Sequence, residues 1–433
     1  MNYFSLNKKA PNTSFQDAVI RGLAPDKGLY YPSTIKPLTD EFIKNIEEYS
    51  NEEIAFRTIE QFVGNEIPEQ ALKTIIKETL CFDFPVVDIE ENIAALELYH
   101  GPTMAFKDVG ARFMARCLGY FNSKTKRKEK VTVLVATSGD TGGAVASGFL
   151  GVEGVEVIIL YPSGKVSDIQ EKQLTTLGKN IKALEVNGTF DDCQTMVKRA
   201  FLDADLTKTL KLTSANSINI ARWLPQMFYF FFAYKQLKNK NKKLVFSVPS
   251  GNFGNICAGM MAQKLGLPIN HFITGTNANK VVPTYLKSGI YDPKPSVQTI
   301  SNAMDVGDPS NFIRIEELHD NNLAKLQTNL SGFSYSDEET TAAMGHLAKK
   351  HNYIAEPHGA IGYLALKNYL KSNKDVQGIF LETAHPVKFL DVLYPGIAEN
   401  IDIPKQIKAV IDLEKVATKI SNYNELKAFL KNT

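Results

Sequence analysis

From residue 84 onward, the chain alternates short runs of strand-forming residues with helical stretches that contain glycine. The runs share β-branched and aromatic side chains, and they lie at residues 93–99, 131–137, 155–162, 181–186, 243–248, 271–276 and 378–383. Strands that alternate with helices predict βαβ units and parallel sheet. These are more strands than one small sheet needs, so we expect two α/β domains.

The two ends of the chain differ from that pattern. Residues 1–83 are rich in charge and contain helical segments at 39–64 and 68–80, which predict a mostly helical N-terminal module. Residues 405–433 return to charged helix, and we expect them to form a surface tail of the fold.

The charge, the cysteines and the hydropathy of the chain limit the classes of protein to which it can belong. Lys and Arg number 49 against 47 Asp and Glu, which argues against a dedicated nucleic-acid binder. The cysteines at positions 81, 117, 193 and 257 form no C-x-x-C pair and are typical of reduced thiols in an intracellular protein. The opening residues lack the apolar core of a signal peptide, and the apolar run at 227–234 is far too short to span a membrane. We therefore expect a cytoplasmic enzyme that does not bind membranes.

Two glycine-containing loops follow predicted strands. One is Ser138-Gly139-Asp140-Thr141-Gly142-Gly143, and the other is Pro249-Ser250-Gly251-Asn252-Phe253-Gly254-Asn255. Glycines allow close backbone approach, so successive N–H groups and a helix N-terminus can face an anion. Either loop alone could be an ordinary turn, but two at equivalent strand-to-helix corners indicate anion binding.

The sequences of these loops exclude some of the anions that could bind there. Neither matches G-x-G-x-x-G, which argues against a dinucleotide. The stretch PSGKVS at 162–167 lacks the upstream glycine of a P-loop, and valine follows its lysine, which excludes a nucleotide kinase of that type. Phosphate-bearing cofactors and small anionic substrates remain.

Lys107 lies at the start of a predicted helix, on its uncharged side with Gly110 and Met114. The charged residues of this helix form a separate stripe, which we expect at its solvated or supporting edge: Asp108, Arg112 and Arg116. Burial and the positive end of a helix lower a lysine's pKa, which suits the amine for attack on a carbonyl. With the two loops, such a lysine indicates pyridoxal phosphate. The alternative is a lysine that reaches solvent from the first helical turn.

Seven motifs resemble those of the threonine synthase family, in its long-chain branch with an N-terminal module. They follow the family's order along nearly the whole chain: HGPTMAFKDVGARFMA (100–115), ATSGDTGGAVA (136–146), LTSANSINIARWLPQ (212–226), VPSGNFGN (248–255), SNAMDVGDPSN (301–311), EPHGAIGY (356–363) and TAHPVKF (383–389). Several of these motifs are specific to this family among pyridoxal phosphate enzymes.

The resemblance implies the fold type of the tryptophan synthase β-subunit, with two α/β domains and a pyridoxal phosphate cleft between them. Residues 1–83 would be the N-terminal module. The large cofactor-binding domain would comprise 84–130 and 243–433, and the small domain, 131–242, would carry the SGDTG loop.

The resemblance also implies the roles of site residues. Lys107 would form the Schiff base with the cofactor, and Thr383 would meet its pyridine nitrogen. The cofactor phosphate would lie on the backbone of Gly251, Asn252, Phe253, Gly254 and Asn255. The substrate carboxylate would lie on Ser138, Gly139, Asp140, Thr141 and Gly142. Further substrate-side candidates are Ser214, Asn216, Asn219 and Arg222, with Lys165 as a weaker candidate for the substrate phosphate.

One position departs from the family's pattern. Glu382 precedes Thr383 where a small residue is usual. Successive side chains of a strand point to opposite faces, so we expect Glu382 to point away from the partner of the pyridine nitrogen. A neutral hydroxyl in that position, unlike a carboxylate, would not enforce protonation of the ring.

The implied reaction is the conversion of O-phospho-L-homoserine and water to L-threonine and phosphate by γ-elimination and β-addition, in threonine biosynthesis. The enzyme would be a carbon–oxygen lyase, a monomer or homodimer, without a metal ion. Two alternatives stay open: a dehydratase or phospho-lyase of the same fold, and a non-catalytic Rossmann-like protein whose loops bind a nucleotide.

Overall fold

The computed structural model describes residues 1–124, 130–237 and 241–432. The β-strands are β1 (Tyr3–Ser5), β2 (Tyr30–Pro32), β3 (Val86–Glu90), β4 (Ile93–Glu97), β5 (Val131–Ala136), β6 (Val155–Pro162), β7 (Ile181–Val186), β8 (Lys211–Ser214), β9 (Lys243–Pro249), β10 (Ile269–Thr276), β11 (Leu330–Ser334), β12 (Val376–Glu382) and β13 (Thr418–Ile420).

The α-helices are α1 (Phe15–Arg21), α2 (Asp40–Lys44), α3 (Asn51–Val63), α4 (Glu69–Thr79), α5 (Lys107–Lys124), α6 (Asp140–Phe149), α7 (Asp168–Thr175), α8 (Phe190–Leu202), α9 (Ala204–Thr207), α10 (Ile220–Trp223), α11 (Phe228–Gln236), α12 (Gly254–Lys264), α13 (Val281–Ser288), α14 (Phe312–Leu318), α15 (Leu323–Asn329), α16 (Asp337–His351), α17 (Pro357–Leu370), α18 (Lys405–Lys408) and α19 (Tyr423–Lys431). Among these described helices, none is long and apolar enough to cross a membrane.

The larger sheet has the strand order β11-β10-β9-β12-β4-β3. β3 runs antiparallel to β4, and all other neighbours are parallel. The central strands β9 and β12 are apolar and buried over nearly their whole lengths, as expected when helices cover both faces of a parallel sheet. α17 packs on β9, β10 and β12.

The smaller sheet has the order β13-β7-β6-β5-β8 and is parallel throughout. Its central strand, β6, is buried at every position. All seven runs predicted from the sequence form strands of the two sheets, namely β4, β5, β6, β7, β9, β10 and β12. The predicted α/β class with parallel sheet is confirmed, with β3 as the antiparallel exception.

The end of the chain adds to the smaller sheet. Residues 405–433 were expected to be a surface tail grouped with the large domain, but β13 pairs with β7. Leu426 and Leu430 of α19 are buried in the same apolar cluster as Leu184 and Val186 of β7. The spacing of apolar residues in α19 predicts a helix, but it carries no information about which sheet that helix covers. The division into domains stays a prediction, and we propose that 418–430 belong with 131–237.

The N-terminal residues are packed into the rest of the molecule. Besides α1 to α4 they contain the antiparallel pair β1 and β2, which the sequence analysis did not predict. The hydroxyl of Tyr3 donates to the carbonyl of Phe62 at 2.6 Å. α1 and α4 pack on α5, and α3 packs on α11. This segment therefore supports the helix that begins at Lys107.

Candidate active site

A cavity is lined by the segments that follow strands of both sheets. β5 ends at Ala136, β9 at Pro249 and β12 at Glu382. The residues that follow each of these ends line the cavity, together with the first residue of α5. Ligands of open α/β sheets bind outside the carboxyl ends of the strands, so this cavity is the candidate active site.

Lys107, the first residue of α5, reaches into the cavity with a side chain that is 16% exposed. Its Nζ lies 3.7 Å from Oδ2 of Asp140 and 4.8 Å from the ring centre of Phe106. Burial lowers the pKa of Lys107, in the direction that the sequence analysis expects; Asp140 opposes this effect and Lys388 adds to it. The amine is therefore placed to lose its proton inside the cavity.

The turn before Lys107 is held by Asp108. The backbone N–H and the hydroxyl of Thr103 donate to its carboxylate at 2.9 and 2.5 Å. Asp108 is 1% exposed, so it belongs to the supporting rather than the solvated part of the charged stripe. Burial raises its pKa, and the two bonds from Thr103 oppose that effect. These bonds fix the backbone from which the lysine extends.

The loop after β9 is shaped to approach an anion closely. A Cβ on Gly251 would lie 2.8 Å from the carbonyl oxygen of Ala303, so only glycine fits there. Phe253 has φ of +60°, and α12 begins at the next residue. The first N–H groups of a helix have no acceptor within the helix and attract anions. The N–H groups of this loop are therefore candidates for the predicted contact with a phosphate.

Asn255 carries two unpartnered polar atoms in this loop. It is buried at the cavity, and neither its Nδ2 nor its Oδ1 has a hydrogen-bond partner within the described parts of the chain. Leaving a buried amide unsatisfied costs about 1–3 kcal/mol. An oxygen of a phosphate-bearing ligand in this cavity would accept a hydrogen bond from Nδ2, so this residue fits the predicted cofactor.

We therefore expect Asn255→Ala to separate stability from cofactor binding. Without cofactor, its free energy of unfolding should equal or exceed that of the wild type, because an unsatisfied amide is removed. Its Kd for pyridoxal phosphate should rise about tenfold, since one hydrogen bond to a charged group contributes about 1.5–3 kcal/mol. Urea unfolding and a fluorescence titration would measure both. An unchanged Kd would contradict the predicted phosphate site.

Of the five substrate-binding residues predicted in the loop after β5, only some line the cavity. Ser138, Asp140 and Thr141 line the cavity. Gly139 and Gly142 do not, because their N–H groups turn away and donate to Oγ1 of Thr137 at 2.9 and 2.8 Å. The structure gives no support to the predicted contact of these two glycines with substrate, which stays a prediction. They shape the loop instead: Gly139 has φ of +133°, and a Cβ on Gly142 would lie 2.6 Å from Thr137.

Asp140 is the centre of a buried network beneath Lys107. Its Oδ1 lies 2.6 Å from Nζ of Lys388 and accepts a hydrogen bond from Nε2 of Gln170 at 2.9 Å. Burial alone would raise the pKa of Asp140, but Lys388 and Lys107 hold it well below its ordinary range. The side chains of Lys388 and Asp140 are 0% and 3% exposed. The sequence analysis assigned no role to Lys388, whose partner is distant in sequence.

The residues predicted to bind substrate in the segment 214–222 also differ in whether they line the cavity. Asn216 and Arg222 line the cavity, whereas Ser214 and Asn219 do not. Asn219 is fully buried, and its Nδ2 donates to the carbonyls of Val19 at 2.8 Å and Ser214 at 3.2 Å. Ser214 accepts the N–H of Asn216 at 3.2 Å. Both side chains are therefore engaged by other groups of the protein, and their predicted contacts with substrate stay predictions.

Arg222 is the cation on this side of the cavity. It is 3% exposed, burial lowers its pKa to about 10, and its Nε has no partner among the described residues. Ser217 and Gln226 also line the cavity and were missed, although both lie in a motif that the sequence analysis singled out. Lys165 lies outside the cavity lining, exposed between β6 and α7, so this structure gives it no contact with a ligand there.

Thr383 lines the cavity directly after β12. Its Oγ1 donates to Oε1 of Glu356 at 3.4 Å. Glu382 points elsewhere, as expected, since its carboxyl meets Gly359 at the start of α17. His358, for which the sequence suggested no step, also lines the cavity.

Outside the cavity, ligand atoms of Glu90, His346 and His351 lie within 4.8 Å of one another. Nζ of Lys367 already lies 2.8 Å from Oε2 of Glu90, and the hydroxyl of Tyr363 binds its other oxygen. A metal ion would compete with that ammonium group.

Comparison with known proteins decides the family. Residues 75–380 match the family described as pyridoxal-phosphate dependent enzyme. Residues 2–80 match the threonine synthase N terminus, and 359–430 match the threonine synthase C-terminal family. Threonine synthase of Haemophilus influenzae is 44% identical over 432 residues, which are 99% of each chain. The chain belongs to the threonine synthase family.

Solved structures of threonine synthases agree with this assignment. The crystal structure from Escherichia coli superimposes with a TM-score of 0.93 at 40% identity and covers 100% of each chain. The pyridoxal phosphate-bound structure from Brucella melitensis gives 0.90 at 33% identity, with 100% of this chain and 99% of that chain covered. The predicted family, fold type and pyridoxal phosphate dependence are confirmed. The roles of individual residues stay predictions.

Proposed function

We propose that this chain converts O-phospho-L-homoserine and water to L-threonine and phosphate, as a phosphate-releasing carbon–oxygen lyase of threonine biosynthesis. One observation carries the proposal beyond family membership. The cavity brings together a buried lysine, a glycine loop at a helix N-terminus, and a threonine hydroxyl on a third segment. We further propose that the enzyme acts in the cytoplasm, as a monomer or homodimer, on a small-molecule substrate.

Each group of the cofactor has a matching set of residues. The backbone from Gly251 to Asn255 would hold the phosphate, Thr383 would meet the ring nitrogen, and Lys107 would form the covalent link. The bound cofactor supplies an electron sink that stabilises carbanions on the substrate. The polypeptide supplies position, charge and proton transfer.

Lys107 is the base that the geometry favours. Released when the substrate amine takes its place, its Nζ would stay inside the cavity beside the substrate. Burial lowers its pKa, which favours the neutral amine that removes the proton from the α-carbon. Asp140 lies 3.7 Å away and stabilises the ammonium form once the proton has been taken. Burial, with a smaller contribution from Lys388, outweighs this attraction, so the pKa of Lys107 stays below its ordinary value.

Other residues that line the cavity suit a substrate with two anionic groups. The hydroxyls of Ser138 and Thr141 would bind the α-carboxylate at the N-terminus of α6. Arg222 and Asn216, which also line the cavity, would face the phosphoryl group. A buried guanidinium is a strong, directional ligand for phosphate.

The test of this function uses the purified protein, pyridoxal phosphate and O-phospho-L-homoserine. We expect threonine and phosphate in equal amounts, with little 2-oxobutyrate. Predominant 2-oxobutyrate would identify a dehydratase or phospho-lyase of the same fold instead. A protein that stays colourless after addition of pyridoxal phosphate would exclude both and favour a non-catalytic protein.

A further inference from the structure

A buried arginine lies behind the wall of the cavity, and the proposed mechanism does not use it. Arg314, in α14, is 0% exposed, and its guanidinium carbon lies 4.3 Å from the ring centre of Trp223. Burial lowers the pKa of Arg314 to about 10, so the group stays positively charged at neutral pH. Three neighbouring groups influence this charge, and none of them is a carboxylate: Cys257, Tyr31 and Tyr3.

The guanidinium of Arg314 joins three segments of the chain. Its Nη2 donates to the carbonyl of Tyr30 in β2 at 3.1 Å and to that of Ile218 at 2.7 Å. Its Nη1 donates to the carbonyl of Ser217 at 3.1 Å and to Oδ1 of Asn311 at 2.6 Å. The N-terminal module, the segment after β8 and the residue before α14 therefore meet at one buried cation.

Asn311 is held in a single orientation by this cation. A guanidinium donates hydrogen bonds and accepts none, so the side-chain atom of Asn311 that faces Arg314 is the amide oxygen. The amide nitrogen then faces Ser217 and donates to its Oγ at 2.9 Å. Turning the amide over would place two donors against each other at the arginine.

Ser217 therefore accepts a hydrogen bond from the protein and keeps its own proton. A hydroxyl has one proton to donate and two acceptor positions, and Asn311 occupies one of the acceptor positions. Among the described residues, no acceptor for the proton is recorded. Ser217 lines the cavity, and its Cβ lies 3.4 Å from the place of a Cβ on Gly254, the first residue of α12. A hydroxyl with a proton to give at this place suits an anion.

Asn311 also binds the loop predicted to hold the cofactor phosphate. Its backbone N–H donates to the carbonyl of Asn252 at 3.2 Å. The neighbouring Ser310 donates its hydroxyl to Oδ1 of Asn252 at 3.0 Å. Asn311 is the last residue of the motif SNAMDVGDPSN (301–311), which the proposed mechanism does not use. It thus binds the loop through its backbone and Ser217 through its side chain.

We propose that Arg314 and Asn311 are positioning residues that hold the hydroxyl of Ser217 as a hydrogen-bond donor to a phosphate group in the cavity. The phosphate belongs either to the cofactor, on the loop before α12, or to the substrate, beside Arg222, since both present the same acceptor oxygens. This inference rests on the proposed function for the substrate phosphate. It also connects the N-terminal module with ligand binding, because β2 supplies one of the carbonyl groups that hold the arginine.

Asn311→Asp reverses this hydrogen bond at nearly constant size. An ionised carboxylate has no proton to donate, so Ser217 would donate to it and offer only lone pairs to a phosphate. The new charge pairs with Arg314, so the free energy of unfolding in urea should not fall. We expect one dissociation constant to rise about tenfold. It is that of pyridoxal phosphate for the cofactor-free enzyme if the hydroxyl binds the cofactor, and that of inorganic phosphate for the holoenzyme if it binds the substrate phosphate. Two unchanged constants would overturn the inference.

Two further variants separate the hydroxyl from the added charge. Ser217→Ala removes the donor and should raise the same constant by a similar factor. Adding Asn311→Asp to Ser217→Ala should cause no further rise, because the hydroxyl is already absent. A further rise would show direct repulsion of the phosphate and would overturn the inference. Asn12→Asp is the control, since it adds the same charge on an exposed side chain outside the cavity lining. Both constants should stay unchanged in it, and an equal rise there would also overturn the inference.

The outcome can be told apart from that of the proposed function. A wild-type holoenzyme that forms no threonine from O-phospho-L-homoserine would overturn the proposed function, while the two dissociation constants would still decide the role of Ser217. If Asn311→Asp does not fold, Asn311→Ala takes its place. The hydroxyl of Ser217 is then free to rotate, and the same constant should rise about threefold. An unchanged constant in that variant would overturn the role of Asn311.

Discussion

Replacement of Lys107 by alanine is expected to lower the rate of threonine formation by about 10⁴-fold or more. The variant loses both the covalent link to the cofactor and the base for the α-proton, and no other described lysine lines the cavity. It should also lose the absorption band of the lysine-bound cofactor. A coupled phosphate-release assay and a visible spectrum would measure the two effects.

Lys165→Ala is the matched control for this substitution. It removes an ammonium group that the sequence analysis connected with the substrate phosphate, but the structure leaves Lys165 exposed outside the cavity lining. We expect its kcat/KM to stay within about threefold of the wild type, which corresponds to less than 1 kcal/mol. Substantial threonine synthesis by Lys107→Ala, or a large loss in Lys165→Ala, would contradict the proposed site.

Replacement of Lys388 by methionine should produce the largest loss of stability. The substitution keeps most of the side chain's volume but leaves the buried carboxylate of Asp140 without its closest cation. Removal of one partner from a buried ion pair costs about 3–5 kcal/mol. The free energy of unfolding in urea would measure the loss. Lys415→Met is the control, since the Lys415 side chain is 32% exposed while it pairs with Asp168 and Glu171, and exposed pairs contribute about 1 kcal/mol or less.

The double variant Asp140→Asn, Lys388→Met separates the charge effect from packing. It should be more stable than Lys388→Met alone, because no uncompensated carboxylate remains. Strictly additive losses would contradict a coupled pair.

The pH dependence supplies a second check on this pair. The pKa of Asp140 is lower in the folded chain than its ordinary value of 3.8. Its stabilisation is therefore fully present above about pH 5 and is lost as the pH falls through and below 3.8. We expect Asp140→Asn to have a shallower loss of stability with acid than the wild type does. Equal slopes would contradict the assignment.

The sequence predicted those parts of the site that depend on local pattern. A strand followed by a glycine loop and a helix predicts where backbone N–H groups will point, and the loop at Gly251 follows that rule. The lowered pKa of Lys107 followed from its place on a helix with little charge. These features depend on neighbours in sequence, so they are visible without a fold.

Four predicted residues of the two motif segments lie outside the cavity lining for a common physical reason. Gly139, Gly142, Ser214 and Asn219 lie in the correct segments, but their polar groups bind the protein's own backbone or side chains. A motif indicates which segment faces a cavity, and it does not indicate which atoms within that segment turn inwards. The ion pair of Asp140 with Lys388 joins residues far apart in sequence, so no local pattern contains it. The short strands β8, β11 and β13 were not predicted, because so few residues do not show a clear strand pattern in the sequence.

The pairing of β13 with β7 has a consequence for protein synthesis. β5 to β8 leave the ribosome long before residue 418, and during that interval β7 is an edge strand with unpaired backbone groups. Such an edge is a template for pairing with another chain, and partly synthesised chains with open edges are prone to aggregation. A nascent chain that stalls before residue 418 would expose the edge of β7 to a neighbouring chain on the same messenger RNA.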